Sequence, residues 1–98
     1  MALVMLMHWP EVTKTQYEQV RKEINWEAKV PKGAKFHVAW FSDDGFHVLD
    51  LWQSREDWDA FFGSTLAPAV KNAKIQGQPK VQYSQSHKIF APSVKTGD

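Results

Sequence analysis

At 98 residues, with 12 Lys and Arg against 11 Asp and Glu, the chain is sized for one domain and carries a net charge of +1. That balance leaves no electrostatic footprint for nucleic acid or for an anionic membrane. The absence of Cys excludes disulfides, thiolate catalysis and thiolate-bound metals and fits a reducing cytoplasm, while five Trp and six Phe are more large rings than one small core encloses, which points to burial between two copies of the chain.

The first strand is expected over Ala2 to His8. The apolar run Met1 to Met7 lacks a basic leader and is cut off by His8-Trp9-Pro10, so it reads as a strand rather than a targeting signal. Nothing in the chain approaches the roughly 20 apolar residues of a membrane span. Thr13-Lys14-Thr15-Gln16 has the form of a capping box, and Tyr17, Val20 and Ile24 follow as an apolar stripe at helical spacing. That helix should stop near Asn25 or Trp26, before the loop Lys29-Val30-Pro31-Lys32-Gly33.

Two strands come next, Phe36 to Phe41 and Phe46 to Trp52, rich in aromatic and β-branched residues and separated by Ser42-Asp43-Asp44-Gly45. Both are apolar on both sides, so neither face of their sheet is built to meet bulk water. Ser54-Arg55-Glu56-Asp57 opens a second helix carrying Trp58, Phe61 and Phe62, expected to end about Gly63, with a further short helix capped from Thr65 and reaching Lys74. A last strand is expected from Lys80 to Phe90, with a bulge near Ser86. The order β-α-β-β-α-β is the ferredoxin-like split βαβ arrangement, an α+β fold with a four-stranded antiparallel sheet, placed over residues 1–91 and followed by a frayed tail over 92–98. Helices cover one face of such a sheet. An apolar second face is satisfied when two sheets meet, giving a homodimeric α+β barrel with a cavity.

Asp50 stands two residues before the strand-ending Trp52, and Ser54-Arg55-Glu56-Asp57-Trp58 then opens a helix with Phe61 and Phe62 on its face. This pattern, together with the element order over about residues 1–90, resembles the antibiotic biosynthesis monooxygenase-like group of dimeric α+β barrel proteins. The resemblance implies a pocket for a small molecule, and its known chemistries include cofactor-independent oxygenation of phenolic polyketides and haem degradation. For the haem-degrading branch, the positions of its helix Trp and its ligating His fall here on Phe61 and Lys71, so both functional residues are missing. The resemblance therefore implies no cofactor. Fold-level analogy of this kind warrants a pocket and not a reaction.

Asp50 is the candidate catalytic group, because a carboxylate between Leu49 and Leu51 in a doubly apolar strand must be paired or hydrogen-bonded and is a natural general base. The competing reading is structural, with Asp50 bonded only to a backbone group or a Trp N–H. Pairing of strand one with strand three brings His8 to His47 or Val48. By alternation, His37 and His47 are expected on the face opposite Asp50, as polar rim positions, while His8 and His87 are candidates for lining a cavity. No HxH, HxxxH or HExxH spacing occurs, so a metal site would have to be assembled from distant segments, and none is expected.

The lining of the pocket depends on the hairpin register. A three-residue loop, Asp43-Asp44-Gly45, is the favoured reading and gathers Trp40, Val48 and Trp52 with Asp50; a two-residue Asp44-Gly45 turn would move Trp40 across the sheet. An RNA-recognition sheet has the same element order but needs a basic residue and Gly before stacking aromatics, and Phe46-His47-Val48-Leu49-Asp50 does not supply them. The sequence thus favours a cytoplasmic dimer with a hydrophobic or aromatic small-molecule ligand, no nucleic-acid partner and no membrane contact. Its function is either an oxygenase-like reaction or ligand binding without catalysis. Asp50 would accept a proton, and His8, Trp40, Val48, Trp52 and His87 would hold the ligand.

Overall fold

A computed structural model describes residues 2–94. The elements run β1 (Leu3–Trp9), α1 (Lys14–Ile24), β2 (Ala34–Ser42), β3 (Gly45–Trp52), α2 (Arg55–Phe61), a π turn (Phe62–Leu66), α3 (Ala67–Asn72) and β4 (Lys80–Gln85). Neighbouring strands are antiparallel throughout, in the order β2-β3-β1-β4. This is the expected ferredoxin-like topology, with the central strands β1 and β3 pairing His8 directly with His47. No helix among the described residues is long and apolar enough to cross a membrane.

The first helix starts where its sequence specifies. Thr13 is the N-cap, its hydroxyl accepting from the Gln16 N–H at 3.1 Å, while the Gln16 side chain accepts from the Thr13 N–H at 3.0 Å. Asn25 ends the helix in the left-handed conformation, its N–H donating to the Arg21 carbonyl. Val20 and Ile24 turn inward and pack on Ala69 of α3 and on Ala73, which caps it. A larger cluster built from Met5, Met7, Trp9, Val48, Trp52 and Trp58 fills the space between the helices and the covered face of the sheet.

Three expectations are corrected. The hairpin turn consists of Asp43 and Asp44, with Ser42 paired to Gly45, and this places His37 opposite Asp50 and Trp40 opposite His47. Gly45 makes the tight turn possible: its φ is 113°, and a Cβ there would lie 2.6 Å from the Pro10 Cα. The second helix does not end at Gly63. It continues through the π turn, where the Ala67 N–H reaches back five residues to the Phe62 carbonyl, so Pro68 enters a helix already wound to accept a residue without an N–H. The last strand ends at Gln85 rather than Phe90 and carries no bulge at Ser86. Ser86 instead closes the ladder at the start of β1, its N–H bonding the Ala2 carbonyl at 2.8 Å and its hydroxyl accepting from the Ala2 N–H at 3.0 Å. Of the tail expected to fray, residues 92–94 form a turn in which the Val94 N–H meets the Ala91 carbonyl, and the remainder lies outside the described residues.

Because Thr13 satisfies the opening turn of α1 through a single hydroxyl, Thr13→Ala should lower stability by about 1 kcal/mol. Urea denaturation measures it, and an unshifted midpoint would mean that the cap contributes nothing in solution.

Candidate functional site

Between the covered face of the sheet and the helices lies a cavity of about 250 Å³. The strands supply Met5, Met7, Val48 and Trp52 to its wall, and the helices supply Val20, Trp58, Phe61 and Leu66. Three indoles in the wall use their N–H groups within the protein. Trp9 donates to the Gln76 carbonyl at 2.8 Å, Trp58 to the Tyr83 hydroxyl at 2.9 Å, and Trp52 to Asp50 Oδ2 at 3.0 Å. These rings therefore present apolar faces to a ligand and no donor.

Besides Lys35, the polar part of the wall is a hydrogen-bonded chain. Asp50 is 5% exposed, and its two oxygens are taken by Trp52 Nε1 and by His37 Nδ1, the latter at 2.6 Å. A carboxylate only accepts, so His37 carries a proton on Nδ1, and in the neutral imidazole Nε2 is then the acceptor. The Tyr17 hydroxyl occupies that acceptor at 2.9 Å. Burial is the main cause that pushes the Tyr17 pKa up from 10.0 to about 12, with the nearby Glu18 carboxylate adding to it. Tyr17 is thus a neutral phenol in the cavity wall, backed by an imidazole and a buried carboxylate. The imidazole is one-third exposed, so the chain has an outlet to solvent. Such a series can take a proton at the tyrosine oxygen while the tyrosine passes its own to His37, the logic of a base oriented by a carboxylate.

The site residues expected from sequence divide between the two faces. Asp50, Val48 and Trp52 line the cavity. Trp40 lies on the open face of the sheet, 40% exposed and stacked on His47 with ring centroids 5.2 Å apart. His8 is on that face too, stacked on its cross-strand partner His47 at 4.4 Å. His87 is exposed and beyond the end of β4. His37, expected on the far face, is on the Asp50 side, because the turn is one residue shorter than the favoured reading and the whole of β2 changes sides. Sequence periodicity assigns Tyr17 only to an apolar stripe; a phenol in place of an aliphatic at the first position of that stripe is the available signal of its second role.

No protein-family model matches the chain, and no curated protein matches it. Among solved structures, a protein of unknown function from Nitrosomonas europaea superposes with a TM-score of 0.68 at 14% identity, over 94% of this chain and 95% of that one. SnoaB, a cofactor-independent oxygenase from Streptomyces nogalater, gives 0.63 at 8% identity over 90% and 94%. A monooxygenase from Streptomyces coelicolor, solved in complex with nanaomycin D, gives 0.59 at 20% identity over 94% and 93%. The chain has the fold of the antibiotic biosynthesis monooxygenase-like proteins, at a distance where sequence identity carries nothing further.

The raised Tyr17 pKa has a consequence for stability. The phenol's ordinary value, near 10, applies in the unfolded chain, so Tyr17 leaves stability untouched below pH 10 and lowers it as pH rises from 10 towards about 12, where only the unfolded form ionises readily. Urea midpoints measured across this interval should fall less steeply in Tyr17→Phe than in the parent; parallel curves would show that Tyr17 is not buried as a neutral phenol.

Proposed function

We propose that the protein is a dimeric, cofactor-independent enzyme of the monooxygenase-like type, acting on a hydrophobic aromatic compound with an acidic O–H or C–H. The observation that carries this reading is the Tyr17–His37–Asp50 chain, which brings a proton-accepting oxygen to the wall of a cavity lined mostly by apolar side chains. Tyr17 takes the substrate proton as its own moves to His37 Nε2. Asp50 does not meet the substrate directly; it fixes the His37 tautomer and stabilises the imidazolium that forms. The resulting substrate anion, held against apolar ring faces, is the electron-rich species that dioxygen can oxidise. Val48 and Trp52 shape the pocket floor. The two Streptomyces oxygenases with this fold support the reaction class.

Dioxygen uptake with a panel of phenols, hydroquinones and anthrones, with no metal or flavin added, tests the reading. Asp50→Asn keeps the shape but lets the amide hold the wrong tautomer, so turnover should fall by roughly 10²-fold or more, and Tyr17→Phe should do the same. Ligand affinity, followed by Trp fluorescence, should change little in either variant. Unaltered turnover per folded molecule would remove catalysis from this site and leave ligand binding without chemistry.

The dimer rests on the open face of the sheet. Leu6, Val38 and Trp40 are each about two-fifths exposed there, side by side on β1 and β2 with Leu49 of β3 between them. Packing two such faces should bury on the order of 2,000 Å² or more. Sedimentation should give twice the chain mass at micromolar concentration, and a stable folded monomer would end the dimeric reading.

A further inference from the structure

We propose that His8, Asp44 and His47 form a binding site for a divalent transition-metal ion of the zinc class at the turn end of the β2–β3 hairpin. The three residues come from three places in the chain: the end of β1, the turn, and the second half of the hairpin. Register brings them together, since His8 and His47 are direct cross-strand partners and Asp44 closes the adjoining turn. Both imidazoles aim the same nitrogen at the same residue. His47 Nε2 lies 2.7 Å from Asp44 Oδ1, and His8 Nε2 lies 2.8 Å from the Asp44 carbonyl oxygen and 3.7 Å from Asp44 Oδ2.

The donor atoms all fall within 4.8 Å of one another. Two nitrogens on a tetrahedral zinc ion stand about 3.4 Å apart when each bond is near 2.0–2.1 Å, so the set closes on an ion with small side-chain movements. The rings are prepared for this. They are parallel to within 5° and stacked at 4.4 Å, and Trp40 stacks on His47 in the same orientation, so the aim of the imidazoles is fixed by ring contact as well as by hydrogen bonds. Ligation needs each ring to carry its proton on Nδ1 in place of Nε2, a change of tautomer with no net loss of a proton. Two imidazoles and one carboxylate suit zinc, nickel, cobalt or copper. Calcium and magnesium require more oxygen donors than this turn supplies. Asp44, in the turn at the end of the face proposed to pack in the dimer, is 64% exposed in the single chain, so an ion would reach the site from the turn end.

The site is separate from the Tyr17–His37–Asp50 chain, because His8 and His47 project from the opposite face of the sheet. Isothermal titration of the untagged full chain with zinc chloride, in a buffer that does not bind metal, should show saturable binding of a single ion. His8→Gln, His47→Gln and Asp44→Asn should each weaken it by about tenfold or more, at least what the loss of an outer-shell partner costs. His87→Gln should leave it unchanged. In the parent protein, imidazole NMR signals provide a readout that needs no variant: zinc should move those of His8 and His47 and leave those of His37 and His87 in place. Absence of saturable binding, unchanged affinity in His8→Gln or Asp44→Asn, or movement confined to His37 or His87 would each overturn the proposal.

Discussion

A carboxylate with almost no access to water sits at the centre of the sheet, and the surroundings of Asp50 are shaped by its need for partners. A buried carboxylate left without them would cost several kcal/mol, so the fold must bring donors to both oxygens. One donor is local, the indole of Trp52 two residues along the same strand. The other, His37, must come from the neighbouring strand, and it arrives only if the hairpin pairs in one register. Shifting that register by a single residue would send His37 to the far face and leave Oδ1 bare. The pairing of β2 with β3 is therefore specified by a polar contact as much as by hydrophobic alternation.

Two faces of one sheet consequently carry two different chemistries. On the covered side, Asp50, His37 and Tyr17 form a chain that ends in a phenol whose ionisation is suppressed by burial. On the open side, Trp40, His47 and His8 form a ladder of stacked rings beside the carboxylate of Asp44, which hydrogen bonds from Ser42 and His47 hold down to about pKa 2. Strand alternation alone separates them, with Asp50 and His47 three positions apart on β3 and pointing in opposite directions.

Much of this is legible in the residues. The capping box at Thr13, the β-α-β-β-α-β order and the need of Asp50 for a partner rest on local patterns and alternation, and that order in turn brings His8 to His47 or Val48. The partner's identity is not legible. Asp43-Asp44-Gly45 is compatible with more than one loop length, and each length assigns β2 a different set of inward side chains, so the position of His37 rests on a choice the turn residues do not make by themselves. The helix after Phe61 departs from expectation for a related reason: Gly63 and Pro68 are stop signals in a regular α-helix, and a widened turn between them removes the conflict. Tyr17 is hidden in the sequence because its ring belongs to the apolar stripe of α1 while its hydroxyl belongs to the site.

That widened turn also sets the phase of the helix beyond it. From Trp58 to Phe61 the inward residues are spaced as an α-helix spaces them, but the next inward step, from Phe61 to Leu66, spans five residues, and the α-helical rhythm then resumes through Ala69 and Ala73. Removing one residue from Phe62–Leu66 would restore an uninterrupted helix and turn everything after it by about 100°. Leu66 and Val70 would rotate away from the cavity, and Ala69 and Ala73 away from Val20 and Ile24. The sheet, with its carboxylate, imidazole and indoles, would be untouched. A change of one residue in length at this position would thus remodel the roof of the pocket independently of its floor, giving a lineage a means of altering which molecules fit without altering the groups that act on them.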